Sequence, residues 1–125
     1  MSRGLRRFIS RNVSSVAELE LLLLFFRQPR RGWAPQELRH QLRSSSTSIN
    51  THLANLLRRG ILQRDENDRY SYRQDARHDV WVQELSDEYA VRPIRIIDAI
   101  YSAPDAALSS FADAFRILPE EPNDR

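Results

Sequence analysis

At 125 residues and 41% apolar content, the chain falls within the size of one domain and can supply one hydrophobic core. The absence of cysteine excludes a disulfide framework, a thiolate zinc site and a thiol nucleophile, and the longest apolar run, Leu21 to Phe26, is too short to cross a bilayer. The net charge of +2 conceals an asymmetry: residues 1–64 hold 12 arginines and three acids, residues 65–125 hold 7 arginines and 14 acids, and lysine is missing altogether. A basic half of this kind suits a polyanion-binding surface, and a cysteine-free chain suits the reducing cytoplasm. The all-arginine basic set is read first as genome composition and second as a preference for bidentate contacts to phosphate or guanine.

The first stretch, MSRGLRRFISRN, carries four arginines and no acid. Residues 1–14 are therefore expected to form a flexible, solvated basic arm. The alternatives are an arm that reaches DNA phosphates or an arginine-rich presequence.

A helix is expected from Ser15 to Arg27. Ser15 with Glu18 makes a capping-box pattern, and Pro29 follows the end. Leu19, Leu22, Leu23 and Phe26 keep helical spacing, while Leu21, Leu24 and Phe25 widen the apolar surface. Such a helix must be covered on more than one side, by the core or by a second subunit. Trp33 is expected in a short strand beside a later hairpin, its indole buried for structural reasons.

Pro35 to Leu42 reads as a second helix, with proline at its first position and Leu38 and Leu42 four apart. Arg43 to Ser45 form a three-residue turn, which matches the spacing of a helix-turn-helix although the usual glycine is missing. The next helix is expected to start at Ser45 as N-cap. Ile49, Leu53, Leu56 and Leu57 line one face, and Ser46, Thr47, Asn50, Thr51 and Asn55 fall on the other. Arg58 and Arg59 complement the negative end of the helix dipole, and Gly60 supplies a left-handed stop. Residues 61–64 and 69–73 then pair as a hairpin around Asp65-Glu66-Asn67-Asp68, with Tyr70 and Tyr72 facing the core and Arg69 and Arg73 facing outward.

This order of helix, Trp33 strand, helix, helix and hairpin resembles the DNA-binding domain of bacterial winged-helix regulators, including the multiple-antibiotic-resistance and arsenical-resistance repressor groups. The likeness covers about Val16 to Gln74 and rests most on ELRHQL, INTHLANLLRRGIL and the hairpin. It implies a mainly α fold with a small β-hairpin, a winged helix-turn-helix over residues 15–75. By position it implies that Ser46, Thr47, Asn50, Thr51 and Asn55 face the major groove, with Arg43 and Arg58 at the ends of the recognition helix and Arg64, Arg69 and Arg73 on the wing. Asparagine can bond adenine bidentately, and serine or threonine can bond bases or phosphates. Two features depart from that pattern: the recognition helix lacks arginine in its first two turns, and the wing tip is acidic where phosphate would repel it. Either the sides of the hairpin make the contacts, or the domain serves to bind protein.

Residues 76–118 are expected to form C-terminal helices. Trp81, Leu85 and Tyr89 recur four apart, Arg92-Pro93 breaks the helix, and Ile94, Ile97 and Tyr101 share a face of the next one. Ser102-Ala-Pro-Asp105 starts a further helix whose Leu108, Phe111, Phe115 and Leu118 either close the core or make a dimer or partner interface, before a disordered tail over 119–125. The segments VRPIRIIDAIYS and SFADAFRI are similar to the tail of a group of small bacterial winged-helix proteins, a likeness that implies a shared fold and no activity.

Nothing in the sequence gathers catalytic groups. His40, His52 and His78 are isolated, the three glycines form no phosphate-cradling loop, and the adjacent acid pairs fit solvent exposure, so neither an enzyme nor a metal or other cofactor is expected. The sequence therefore reads as a sequence-specific double-stranded DNA-binding regulator, homodimeric and cytoplasmic, with no membrane partner. The competing reading is a protein-interaction module that uses the apolar C-terminal helices and the acidic half.

Overall fold

A computed structural model describes residues 1–43 and 46–102, with the side chains of all but 46 and 47. The expected cap at Ser45 and the expected interface stripe Leu108, Phe111, Phe115 and Leu118 lie outside the described residues. Within them the chain is mainly helical: α1 (Arg3–Asn12), α2 (Val16–Arg27), α3 (Pro35–Leu42), α4 (Ser46–Arg58), a hairpin of β1 (Leu62–Arg64) and β2 (Tyr70–Tyr72), then α5 (Ala76–Val91) and α6 (Pro93–Tyr101).

Residues 3–12 correct the expectation of a flexible arm. Leu5, Phe8 and Ile9, spaced i, i+3 and i+4, are buried, and the Ser2 hydroxyl accepts a hydrogen bond from the Leu5 N–H at 3.1 Å to cap the helix. The arginines that suggested an arm, Arg3, Arg6, Arg7 and Arg11, occupy the exposed side of that helix. Gly4 lies against α5, where a Cβ would overlap the Trp81 ring, so the absence of a side chain permits the close approach.

The all-round apolar character of α2 has the expected consequence. Leu19, Leu21, Leu22, Leu23 and Phe25 are buried, because α4, α5 and β2 all pack against this helix. Its start follows the sequence, with the Ser15 hydroxyl accepting from the Glu18 N–H at 3.1 Å. α3 starts at Pro35, and Glu37 reaches back to accept from the Ala34 N–H at 2.7 Å. Arg43 ends it in the left-handed region, φ 52°, doing in the turn what glycine does at lower cost.

β1 and β2 pair antiparallel with Leu62 opposite Tyr72 and Arg64 opposite Tyr70. Trp33 joins them as expected through a bridge to Tyr70, with N–H to carbonyl distances of 2.7 and 2.9 Å in the two directions. The hairpin tip has its own local chemistry: the Asp65 carboxylate accepts from the N–H groups of Asn67 and Arg69 at 2.8 and 3.0 Å. Part of the acidity of the tip is therefore turn chemistry.

α5 is capped by Asp75 and buries Val82 and Leu85, and the interruption at Arg92-Pro93 separates it from α6. The apolar face of α6 read from spacing, Ile94, Ile97 and Tyr101, is not the one that packs most deeply. Ile96, Ala99 and Ile100 turn inward against α1 and α5, while Ile94 and Tyr101 are 67% and 66% exposed. Both stripes satisfy helical spacing, and the presence of α1, which the sequence reading left out of the core, selects the first.

Candidate functional site

α4 is fixed in rotation by what its inner side touches. Ile49, Leu53 and Leu56 enter the core, and the neighbouring stripe His52, Asn55 and Arg59 converges on Glu18, the sole buried charged residue among the described residues. The Glu18 carboxylate receives His52 Nδ1 at 2.9 Å, Asn55 Nδ2 at 3.1 Å, Arg59 Nη1 at 2.5 Å and the Ser14 N–H at 3.2 Å. Arg59 also donates to the Asn12 carbonyl at 2.7 Å, so one cluster ties the end of α1 and the start of α2 to the last turns of α4. Burial alone would raise the Glu18 carboxyl, but the hydrogen bonds from His52, Asn55 and Arg59, with the charge of Arg59, outweigh it and hold the group below its ordinary value.

Sequence reasoning assigned Glu18 a capping role and missed its role as a hub. A signal was present in outline: Glu18 is an acid at the head of a helix apolar almost all round, where burial demands a partner. The partners are 34 to 41 residues away, and pairing at that range depends on the fold. The same cluster corrects one expected contact: Asn55, expected to face outward, turns its amide to Glu18 and accepts Arg58 Nη2 at 2.9 Å on its oxygen.

The outward side of α4 presents Asn50, Thr51 and Arg58, all exposed. These positions fall at i, i+1 and i+8, within a little over a quarter-turn of each other on the helix. The backbone of Ser46 and Thr47 belongs to the first turn of α4. Arg43 is exposed in the turn just before it.

The hairpin arginines separate into three environments. Arg69 is committed to the body of the protein, donating to Glu37 Oε1 at 3.2 Å, and Arg31 approaches the other oxygen of that carboxylate at 3.5 Å while lying over the Trp33 ring. The Ala34 N–H, then the charges of Arg69 and Arg31, hold the Glu37 carboxyl below its usual range. Arg64 stands half-exposed beside the tip, 3.9 Å from Asp68. Arg73 is brought together with Arg58 and Arg59 in a cleft of about 390 Å³ that the start of α5 also lines. There Asp75 is engaged by Arg77, whose side-chain and backbone hydrogen bonds lower its carboxyl.

Between β2 and α5 the Tyr72 hydroxyl donates to Asp79 Oδ1 at 2.5 Å. Burial, then the Asp79 hydrogen bond and charge, push the phenol well above its ordinary value, so it stays protonated and pins the hairpin to α5. Among the described residues no group of three or more His, Asp or Glu side chains is placed to hold a metal ion, and no helix is long and apolar enough to cross a membrane. What the arrangement offers chemically is hydrogen bonding and positive charge on one side of α4. No protein-family model, curated protein or solved structure matches the chain, so these groups are read by their own geometry.

Proposed function

We propose that the chain is a winged helix-turn-helix regulator of transcription that binds double-stranded DNA in a sequence-dependent way, with α4 as the recognition helix in the major groove. The observation that carries this reading is the division of labour around α4. Its inner faces are held by the core and by Glu18, while Asn50, Thr51 and Arg58 are exposed on its outer side. A helix presented in this way, following α3 closely in the chain and preceding a hairpin, is the arrangement that docks in a major groove. The net charge of +9 over residues 1–64 provides attraction for phosphate. Binding as a homodimer places two recognition helices about 34 Å apart and calls for a near-palindromic site. The cytoplasm is the compartment in which such a regulator meets DNA.

Replacing Asn50 and Thr51 with Ala tests the reading. A good bidentate base contact is worth about 1–3 kcal/mol of discrimination. The double variant is therefore expected to bind a selected duplex about 10-fold or more weaker while its affinity for random duplex stays near that of the wild type. Unchanged discrimination between the two would refute α4 as the reader.

A second reading, a protein-interaction module, is favoured by one observation. Val91 and Ile94 are exposed apolar side chains at the α5–α6 corner, 68% and 67% accessible, and Tyr101 is exposed at the other end of α6. Homodimerisation through that corner would satisfy both readings.

A further inference from the structure

We propose that Arg7 and Arg11 of α1, Arg77 of α5, Arg73 after β2 and Arg58 of α4 form one continuous track for the sugar-phosphate backbone of duplex DNA. The track rests on the DNA-binding reading and extends it beyond α4 and the hairpin, to a helix that the charge pattern alone presented as a loose arm. Two clefts carry it. One, of about 280 Å³, is lined by Arg7, Arg11 and Arg77 beside the Gly4–Trp81 contact. The other, of about 390 Å³, is lined by Arg58, Arg73 and again Arg77. Arg77 belongs to both and joins them.

The charge on this surface is largely uncompensated. Asp75 is the one carboxylate lining either cleft, and it pairs with Arg77 at 2.8 Å. Arg59, at the back, is neutralised by Glu18. Arg7, Arg11, Arg58 and Arg73 form no ion pair among the described residues. Three of the last carbonyls of α4 are occupied, since the N–H groups of Arg59, Gly60 and Ile61 bond back to Asn55, Leu57 and Leu56. The start of α5, the positive end of its dipole, borders the same cleft.

Geometry favours nucleic acid over a lipid surface. The apolar residues of α1 are 0% to 7% exposed, so the helix has no hydrophobic face to insert into a bilayer. Its packing against α5 and α6 instead fixes the helix, and Arg7 and Arg11 lie one turn apart on its exposed side. Arg7 and Arg11 are separated by about 6 Å along the helix axis, and a strand of B-DNA presents one phosphate per roughly 3.4 Å of its axis. Arg58, seven residues after Thr51, continues the outward face of α4 into the cleft, so a backbone leaving that face meets the track.

The test is fluorescence anisotropy of the full chain with a selected duplex and a random duplex over a salt series, for wild type, Arg7→Ala/Arg11→Ala, Arg73→Ala and Arg95→Ala. Arg95 is exposed on α6, beyond the far end of α5, and serves as the control. With about 0.9 in the log–log salt slope per phosphate contact, the double variant is expected to lose about 1.8 and Arg73→Ala about 0.9. Both should weaken selected and random DNA about equally, and Arg95→Ala should behave as wild type. The track is refuted if the track variants keep the wild-type slope, if Arg95→Ala lowers it as much, or if anionic phosphatidylserine vesicles bind the arginine track in place of DNA. Failure of the wild type itself to bind either duplex at low salt overturns the DNA reading as a whole, a result distinct from retained binding with an unchanged slope.

Discussion

Removing the Glu18 carboxylate strips four donors of a shared acceptor at once. In Glu18→Ala the Arg59 guanidinium loses its counter-ion, and Asn55, His52 and the Ser14 N–H lose hydrogen-bond partners. Breaking a buried ion pair by deleting one partner costs about 3–5 kcal/mol. The Arg59 side chain is 23% exposed, so water recovers part of its solvation and the lower end, about 3 kcal/mol, applies. In a domain of this size that lowers Tm by about 12 °C. Thermal and urea melts followed by circular dichroism measure it, and a double-mutant cycle with Arg59→Ala should show at least about 1 kcal/mol of coupling. The carboxyl lies below its ordinary value in the fold, so its stabilisation is fully present above the unfolded-state value of about 4.3 and is lost as pH falls through the lower folded value. Glu18→Gln, which cannot ionise, should flatten that acid limb. A Glu18→Ala melt within about 3 °C of wild type, or strictly additive energies with Arg59→Ala, would refute the role of Glu18 as hub.

Two further substitutions probe how the helices and hairpin are held. Gly4→Ala adds a methyl group where the Trp81 ring lies, and despite the better helix propensity of alanine it should destabilise the fold by about 1–3 kcal/mol in urea titrations. A gain in stability would show that α1 does not sit this close to α5. Tyr72→Phe removes the hydroxyl bonded to Asp79 and should cost about 1.5–3 kcal/mol, the worth of a hydrogen bond to a charged group, in the same titrations. A neutral result would mean that the edge-on ring contact with Phe26, at 5.3 Å between centroids, anchors the hairpin without help from the hydroxyl.

The parts of the fold legible in the sequence are those set by local rules. Ser15, Pro35, Gly60 and Arg92-Pro93 mark where helices start, stop or break, and the structure places boundaries there because caps, a fixed proline φ and a left-handed glycine act within a few residues. The hairpin and the Trp33 bridge were legible from alternation and turn chemistry. What escaped depends on neighbours distant in the chain. Four arginines mask the spacing of Leu5, Phe8 and Ile9, and without α1 in the core nothing in the sequence of α6 singles out Ile96, Ala99 and Ile100 over the stripe Ile94, Ile97 and Tyr101. Asn55 was assigned outward because a helical wheel has no knowledge of a buried carboxylate beside it. Of the expected contacts on α4 and the hairpin, Asn50, Thr51, Arg58 and Arg73 stand on exposed surface, whereas Arg69 is bound to Glu37 and Asn55 to Glu18.

Anisotropy of the purified full chain with DNA from upstream of its own gene and with a randomised duplex pool, each over a salt series, tests the proposed function most directly. Tighter binding to the upstream DNA than to the pool, with affinity falling linearly in log–log salt, is the result expected of a sequence-specific regulator. Absence of binding to both at low salt would contradict DNA recognition and turn attention to the exposed apolar corner of α5 and α6 as the working surface.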